Sequence, residues 1–330
     1  MNDENNKEGE KMKIVVLDKP REKPGEIDWS QVEKLGEARI YDDTPQDKIA
    51  ETIADAEIVF VNKGKITREI LDKCPNVKFI SVIATGFNKI DLAAAKEKGI
   101  LVSNVPSYGS KAIGQHAVAL LLEITNHIAH HDKEVRKLRK SSETDWCFWD
   151  YPLYELEYKT MGVIGLGRIG QTVAKAGLAM GMDVIAYDAY ENEQMKALGI
   201  RYVGLEELLA KSDVISLHCP ATEQTKDMIN AGTISKMKDG VILLNNSRGE
   251  LVDEQALADA LKSGKVYAAG LDALKKEPIE AHNPLLSAPN CFITPHISWA
   301  ALDCRRRLIR LAIENVKAFL DGNPINIVNM

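Results

Sequence analysis

The chain has 330 residues, of which 45% are hydrophobic and 27% are charged, a composition typical of a globular protein with about two domains. Its 42 basic and 48 acidic residues give a formal net charge of −6, and no long basic run points to nucleic acid or an anionic membrane as a partner. No apolar run approaches the roughly 18 residues of a membrane-spanning helix. Five scattered cysteines without a C-x-x-C pair favour reduced thiols and a cytoplasmic location.

Residues 1–11 are acidic, amide-rich and polar, which predicts a disordered extension rather than a secretory signal. Beyond them, short β-rich runs alternate with helical patterns, and this alternation predicts a parallel sheet covered by helices. The predicted strands span residues 13–17, 38–41, 58–61, 78–83 and 100–103. The predicted helices between them include residues 45–54 and 91–98.

An apolar periodicity predicts one long helix over residues 111–140, followed by an aromatic segment at residues 141–154. The large rings of this segment are Trp146, Phe148, Trp149 and Tyr151. So much aromatic surface favours packing in the core or in a dimer interface over direct contact with a substrate. The helix also carries three histidines at helical spacing, which are His127, His130 and His131. No carboxylate or cysteine partner has a matching spacing, so we expect no metal site.

Residues 165–170, GLGRIG, match the pattern G-x-G-x-x-G between a predicted strand at residues 160–164 and a predicted helix at residues 171–180. A second predicted strand, residues 183–187, ends at the acidic Asp188. The glycines allow a tight turn, close approach of a pyrophosphate and close packing of helix on strand. Asp188 can accept hydrogen bonds from ribose hydroxyls and would repel the 2′-phosphate of NADP, so the pattern predicts NAD.

After Asp188 the alternation resumes, with strands predicted at residues 201–203, 214–217, 241–245, 266–271 and 291–294. A helix is predicted at residues 253–263, and an amphipathic helix at residues 301–320. We expect the arginine run at residues 305–307 of that last helix to face solvent. Because only one region carries a glycine fingerprint, we expect the first sheet to form the substrate domain.

Three polar side chains follow strands of this second region, where the carboxyl ends of parallel strands bind ligands. They are Arg248, Glu277 and His296. A histidine can give a proton as hydride reaches a carbonyl carbon, and a nearby carboxylate stabilises its charged form. An arginine can hold a substrate carboxylate with two hydrogen bonds. Together the three residue types predict reduction of a carbonyl that lies beside a carboxylate.

These segments make the chain resemble the D-isomer-specific 2-hydroxyacid dehydrogenases over residues 13–328. The matching segments, in order, are GLGRIG, LHCPATEQT, NNSRGELVDEQAL, AAGLDALKKEP and TPHISWA. The resemblance implies an α/β fold of two Rossmann-like domains with parallel sheets, the NAD domain being inserted into a flavodoxin-like substrate domain. The substrate domain would comprise residues 12–105 and 300–330. The NAD-binding domain would comprise residues 106–299, with a dimerisation arm at residues 111–154.

The resemblance also implies a homodimer, NAD as cofactor and a set of site residues. The implied catalytic residues are Arg248, Glu277 and His296. The implied cofactor-binding residues are Gly165, Gly167, Arg168, Ile169, Gly170, Asp188, His218, Cys219, Pro220, Thr225, Asn246, Ser247, Arg248, Asp272, His296, Ser298 and Thr85. The implied substrate-binding residues are Asn62, Lys63, Thr85, Gly86, Arg248 and His296.

Several of these residues take a specific role from the resemblance. Asp188 would hold the adenosine ribose, and Cys219 would line the adenine side. Asn246 would meet the nicotinamide ribose, and Asp272 the nicotinamide carboxamide. The backbone N–H groups at residues 85–86 would grip the carboxylate of the substrate.

Two segments, HISWA at residues 296–300 and YPLYEL at residues 151–156, resemble the glycerate dehydrogenase (hydroxypyruvate reductase) branch of the family. Formate dehydrogenases, which are related, carry an amide where Glu277 stands, and this disfavours formate. We therefore predict NAD-dependent reduction of hydroxypyruvate or glyoxylate to D-glycerate or glycolate. The alternatives are a D-lactate or branched-chain 2-keto acid reductase and, in another class, an NAD-sensing binding protein that resembles transcriptional co-repressors.

Overall fold

The computed structural model describes residues 11–140, 142, 144 and 146–330 of the chain. The predicted N-terminal extension, residues 1–11, lies outside this description except for Lys11. The described chain divides into two units. The first unit comprises the described residues up to Gly109 together with Ala300–Met330, and the second unit comprises Ser110–Trp299.

The first unit is built on a parallel sheet. Its strands are β1 (Lys13–Val16), β2 (Glu37–Ile40), β3 (Ile58–Val61), β4 (Phe79–Val82) and β5 (Leu101–Ser103). Its helices before residue 110 are α1 (Ser30–Glu33), α2 (Ile49–Thr52), α3 (Arg68–Lys73) and α4 (Leu92–Glu97). The strand order is β2-β1-β3-β4-β5, the flavodoxin-like order. β3 and β4 are buried along their whole length, as is typical of central strands covered on both faces.

The second unit holds a larger parallel sheet. Its helices are α5 (Ser110–Asn126), α6 (Ile128–Val135), α7 (Arg168–Ala179), α8 (Glu193–Lys196), α9 (Leu205–Lys211), α10 (Ala231–Ser235) and α11 (Glu254–Ser263). Its strands are β6 (Thr160–Ile164), β7 (Asp183–Tyr187), β8 (Arg201–Tyr202), β9 (Val214–Leu217), β10 (Val241–Asn245), β11 (Val266–Leu271) and β12 (Cys291–Ile293). The strand order β12-β11-β10-β9-β6-β7-β8 is that of a Rossmann sheet.

The C-terminal helix α12 (Leu302–Leu320) returns to the first unit. Its buried stripe, with Leu308, Ala312 and Val316 at four-residue spacing, faces the sheet. The ring of Phe319 stacks on that of Phe79 with centroids 4.5 Å apart. These contacts complete the first unit and confirm the predicted fold class, in which one Rossmann-like unit is inserted into the sequence of the other.

The prediction of one long helix over residues 111–140 is wrong. The helix ends at Asn126, and α6 begins at Ile128 after His127, whose φ of 48° is left-handed. His127 is 4% exposed, and its ring stacks on Tyr151 at 4.4 Å. The apolar pattern continues into α6, but Ile128 is 62% exposed, because the helix has turned away from the core.

Two further predictions need correction. The helix after the glycine loop begins at Arg168 rather than at residue 171, because Gly167 serves as its N-cap. The arginine run of α12 is not a solvated face throughout, since Arg305 is only 9% exposed. Its guanidinium donates to Glu26 Oε2 at 2.9 Å and to the carbonyl oxygen of Arg21 at 3.2 Å. No helix among the described residues has both the length and the apolar character needed to cross a membrane.

Candidate active site

The polar segments singled out in the second unit follow its strands at one edge of the sheet. All pairings in this sheet are parallel, so the carboxyl ends of β6, β7, β9, β10, β11 and β12 share that edge. The direction of strand order reverses between β6 and β9, which is the switch point where open α/β sheets bind ligands.

In the glycine loop after β6, close contacts require two of the glycines, and the third leaves open space. Gly165 has a φ of +90°, and a Cβ there would lie 2.5 Å from the backbone nitrogen of Cys219. A Cβ on Gly170 would overlap the carbonyl oxygen of Gly165. A Cβ on Gly167 would meet nothing within 4 Å, so the loop leaves open space beside the N-terminus of α7. Backbone N–H groups at such a terminus bind phosphate, so the loop fits a pyrophosphate.

Asp188 follows β7, and its carboxylate is held by backbone N–H groups. Oδ2 accepts from the N–H of Leu166 at 2.6 Å, and Oδ1 accepts from the N–H of Tyr190 at 3.0 Å. The remaining lone pairs can still accept from ribose hydroxyls. Asp188 lines a pocket of ≈ 600 Å³ that also includes Glu191 and Glu193. The carboxylate of Asp188 opposes a 2′-phosphate, whereas those of Glu191 and Glu193 are paired with Lys196. Because of Asp188, the residues present fit NAD better than NADP.

His296 and Glu277 form a hydrogen-bonded pair. Nδ1 of His296 lies 2.7 Å from Oε2 of Glu277, and Oε1 of Glu277 accepts from the N–H of Leu274 at 3.1 Å. The side chains of His296 and Glu277 are 42% and 39% exposed. Because Nδ1 is held by the carboxylate, Nε2 is the nitrogen that can exchange a proton with a ligand. The predicted acid–base pair is thus brought together with suitable geometry.

A buried carboxylate holds the loop that carries His296. Asp272, 1% exposed, follows β11 and accepts from the hydroxyl of Thr294 at 2.6 Å. It also accepts from the N–H groups of Ile297 and Ser298, each at 2.8 Å. His296 itself has a left-handed φ of 54°, so this loop must be fixed on both sides of the histidine. A contact between Asp272 and a nicotinamide carboxamide stays a prediction.

Arg248 lies in a turn whose backbone is tied down while its guanidinium is exposed. Asn245 Nδ2 donates to the carbonyl oxygen of Arg248 at 2.8 Å, and Ser247 Oγ donates to that of Cys219 at 2.6 Å. Nη1 of Arg248 donates to the carbonyl oxygen of Ser247 at 2.8 Å. A guanidinium has five N–H donors, so others remain for a carboxylate ligand.

Two side chains that directly follow β9, those of His218 and Cys219, are enclosed and uncharged near pH 7. Burial lowers the pKa of His218 from its ordinary value of 6.5 to about 4, so the imidazole is neutral near pH 7. Burial also raises the pKa of Cys219 to about 11, which leaves a thiol rather than a thiolate. Thr225, also in the predicted set, donates its hydroxyl to the carbonyl oxygen of Pro220 at 2.7 Å. His218 therefore cannot neutralise a pyrophosphate, and Cys219 is not an activated nucleophile.

Two buried polar atoms near this edge have no hydrogen-bond partner among the described residues: His218 Nδ1 and Asn246 Oδ1. Buried polar groups in proteins are nearly always paired, so each such atom requires an explanation. A dinucleotide, with its hydroxyl and amide groups, supplies suitable partners. Together with the space beside Gly167, these two atoms make the edge fit an NAD molecule.

The predicted substrate residues of the first unit lie after two neighbouring strands. Asn62 and Lys63 follow β3, and Thr85 and Gly86 follow β4, so both pairs share one edge of that sheet. Thr85 is anchored there, since its hydroxyl donates to the carbonyl oxygen of Val105 at 2.9 Å.

Sequence reasoning missed Asp18, which follows β1 at the same edge. Its carboxylate is 4% exposed and accepts from the N–H groups of Asn62 at 2.7 Å, of Gly64 at 2.9 Å and of Lys63. Because the backbone N–H groups of residues 62–64 are used in this way, the side chains of Asn62 and Lys63 are the donors that these two residues can offer a ligand. The feature of the sequence that could have identified Asp18 is an aspartate directly after an apolar strand.

The three histidines near residue 130 pack the aromatic segment onto α6. His130 Nε2 lies 2.6 Å from Asp150 Oδ2, and His131 Nε2 accepts from the backbone N–H of Asp150 at 3.2 Å. Within the part of the chain that the structure describes, no three histidine, cysteine or acidic side chains are grouped so as to hold a metal ion.

Comparison with known proteins identifies the family and its near relatives. Residues 118–298, more than half of the chain, match the family described as "D-isomer specific 2-hydroxyacid dehydrogenase, NAD binding domain". A hydroxypyruvate reductase of Blautia hydrogenotrophica is 54% identical over 321 residues, 96% of this chain and 100% of the relative. A glycerate dehydrogenase of Methylorubrum extorquens is 39% identical over 86% of this chain and 89% of the relative.

A solved structure shares the fold over nearly its whole length. The D-lactate dehydrogenase of Aquifex aeolicus, complexed with NAD and lactic acid, superposes with a TM-score of 0.80. It is 34% identical in sequence, and the match covers 96% of this chain and 99% of the other.

Two single glycine substitutions should separate folding from cofactor binding. Gly170→Ala should destabilise the protein by about 1–3 kcal/mol, because its methyl group would be forced against backbone. Gly167→Ala should leave stability within about 0.5 kcal/mol, yet weaken NADH binding by filling the open space beside α7. Urea denaturation and NADH fluorescence titration measure the two effects. Equal destabilisation by both, or wild-type NADH affinity in Gly167→Ala, would contradict this account.

His218 should contribute to the pH dependence of stability. Its folded pKa of about 4 lies below the ordinary 6.5, so between these values the unfolded state binds a proton that the native state does not. Stability is therefore present above pH 6.5 and falls by about 3 kcal/mol as the pH drops towards 4. His218→Asn should flatten this part of the profile in urea denaturation. The control His282→Asn changes a side chain that is 85% exposed and should follow wild type. Parallel profiles for all three proteins would rule out a buried neutral His218.

Proposed function

The chain belongs to the D-isomer-specific 2-hydroxyacid dehydrogenases, and we propose that it reduces hydroxypyruvate and glyoxylate to D-glycerate and glycolate. As a member of this family it is an NAD-dependent oxidoreductase that acts on the CH–OH group of 2-hydroxy acids. The observation that carries the choice of substrate is the 54% identity, over 96% of the chain, to a hydroxypyruvate reductase. The 39% identity to a glycerate dehydrogenase supports the same pair of compounds, with glycerate as the substrate of the reverse reaction.

The proposed chemistry divides between three side chains of the second unit. NADH, when bound, supplies the hydride that reaches C2 of the keto acid. His296 gives the proton from Nε2 to the developing alkoxide, and Glu277, 2.7 Å from Nδ1, stabilises the imidazolium and sets the ring orientation. Arg248 binds the substrate carboxylate through its exposed guanidinium and polarises the neighbouring carbonyl. In the oxidative direction the neutral His296 accepts the proton.

The remaining substrate contacts are assigned to the first unit. We propose that the side chains of Asn62 and Lys63 and the backbone N–H groups of Thr85 and Gly86 bind the acid. The fixed backbone supports this assignment, because Asp18 holds the 62–64 loop through three N–H groups. A loop held in this way loses little entropy when it binds a small ligand.

We also propose that the protein is a cytoplasmic homodimer whose arm, residues 111–154, contributes to the interface. The support is exposed aromatic surface: Trp146 is 79% exposed and Trp149 68%, while His130 and His131 anchor the neighbouring Asp150. Large exposed rings of this kind mark interaction sites.

A panel of 2-keto acids with NADH, followed at 340 nm, tests the function. Hydroxypyruvate or glyoxylate should give the highest kcat/KM, and pyruvate and 2-ketoisocaproate lower values. A preference for pyruvate would instead make the protein a D-lactate dehydrogenase, like its structural relative from Aquifex aeolicus. Turnover below about 1 per second with every acid, although NADH binds, would favour an NAD-sensing protein.

Replacing the proton donor should separate catalysis from binding. His296→Gln should lower kcat by about 10²–10⁴, because it removes general acid catalysis, while the Kd for NADH stays near the wild-type value. Glu277→Gln keeps an acceptor for Nδ1 of His296 but removes the negative charge, so the decrease in kcat should be smaller than in His296→Gln. The control is His282→Gln, at a histidine that is 85% exposed. If NADH affinity falls with kcat in His296→Gln, the histidine is structural.

The arm should govern assembly or selectivity. Trp146→Ala and Trp149→Ala should weaken the dimer. If one of these tryptophans instead closes the substrate pocket of the partner subunit, its replacement should allow reduction of 2-ketoisocaproate. In both cases the affinity for NADH should be unchanged. Light scattering and the keto-acid panel measure these outcomes. Tyr158→Ala is the control, since Tyr158 is 83% exposed but lies beyond the arm. If both tryptophan variants stay dimeric with wild-type selectivity, their rings serve only in packing.

A further inference from the structure

Asn246, which carries one of the two unpaired buried polar atoms, is in contact with His116. Asn246 follows β10 and is 7% exposed. Its Nδ2 lies 3.1 Å from Nδ1 of His116, a half-buried residue in the second turn of α5. Its Oδ1 has no partner among the described residues. One end of the amide is therefore held by the protein and the other is left to accept a hydrogen bond.

The position of His116 is set by close packing of α5. A Cβ on Gly114 would lie 2.7 Å from Cγ2 of Thr172, so α5 and α7 approach as closely as a glycine permits. On the next turns, Leu120 and Ile124 contact the sheet at Gly270, where a Cβ would lie 3.1 Å and 3.3 Å from their side chains. A helix fixed on two sides keeps the imidazole at a constant distance from the turn after β10.

The contact selects one of two orientations of the amide. An asparagine amide has an acceptor end and a donor end, and rotation by 180° about its terminal bond exchanges them. When Nδ1 of His116 accepts from Nδ2 of Asn246, Oδ1 is directed away from α5. In the reverse orientation the carbonyl oxygen would face an acceptor nitrogen, and an NH₂ group would take its place at the sheet edge.

We propose that His116 is a positioning residue that directs Oδ1 of Asn246 towards a hydroxyl group of the nicotinamide ribose of NAD. The proposal rests on the proposed function, because it is the resemblance to this dehydrogenase family that assigns Asn246 to that ribose. A ribose hydroxyl donates to Oδ1, so the atom that is unpaired in the protein becomes paired in the complex. His116 acts through Asn246 and need not touch the cofactor.

The test compares two ligands that share the adenosine half. ADP lacks the nicotinamide ribose, whereas NADH contains it. His116→Leu removes the acceptor and should weaken NADH binding about 3- to 10-fold, the range of one net hydrogen bond, while ADP binding stays unchanged. His116→Asn places an amide oxygen near the position of Nδ1 and should restore most of the NADH affinity. Gln115→Ala, at an exposed neighbour on α5, should bind both ligands as wild type does.

A double-mutant cycle with Asn246→Ala completes the experiment. Once Asn246 is absent, His116→Leu should cause no further loss of NADH affinity, because the two residues act on the same contact. Unchanged NADH affinity in His116→Leu, an equal loss for ADP, or additive losses in the cycle would each overturn the proposal. Titration by fluorescence and calorimetry needs no turnover. Failure of the proposed function would instead appear as wild-type protein that binds NADH but reduces no keto acid.

Discussion

In the two units, three aspartates that follow strands each fix the backbone of a loop that carries candidate site residues. Each of these carboxylates accepts hydrogen bonds from backbone N–H groups of a neighbouring loop. The three residues are Asp18 after β1, Asp188 after β7 and Asp272 after β11. A carboxylate accepts several hydrogen bonds at once and binds N–H donors more strongly than a neutral oxygen does. Each loop therefore has a defined backbone before any ligand arrives, and the functional side chains project from it.

This arrangement explains how exposed residues can be well placed. His296, Glu277 and Arg248 are all accessible to solvent, which their proposed contact with a small substrate requires. Their backbones are nonetheless tied to buried groups, His296 through the loop on Asp272 and Arg248 through Asn245. Preorganisation lies mainly in the backbone, and the side chains keep free donors and acceptors for the reaction.

Sequence patterns predicted the parts of this structure that depend on local rules. Strand patterning located the strands to within about one residue in most cases, and the glycine spacing located the turn before α7. The pairing of His296 with Glu277 was also expected from their position after neighbouring strands. Parallel strands bring their carboxyl ends to one edge, so the order of motifs along the chain was sufficient.

The features that sequence patterns did not predict depend on contacts between distant residues. At the helix break, the ring of His127 stacks on that of Tyr151, and the buried Arg305 pairs with Glu26. The roles of Asp18 and His116 likewise require partners 44 and 130 positions away along the chain. Helical periodicity and composition do not reveal such partners, because a polar residue fits the same pattern with or without a distant partner.

The insertion of one unit into the other also sets an order for folding during synthesis. The second unit is complete once residue 299 has left the ribosome, whereas the first unit still lacks α12 at that point. Until Phe319 reaches Phe79, the apolar face of β4 that α12 covers has no permanent partner. The unit that begins first along the chain is thus the last to be finished, and until then its uncovered sheet is apolar surface of the kind that favours aggregation.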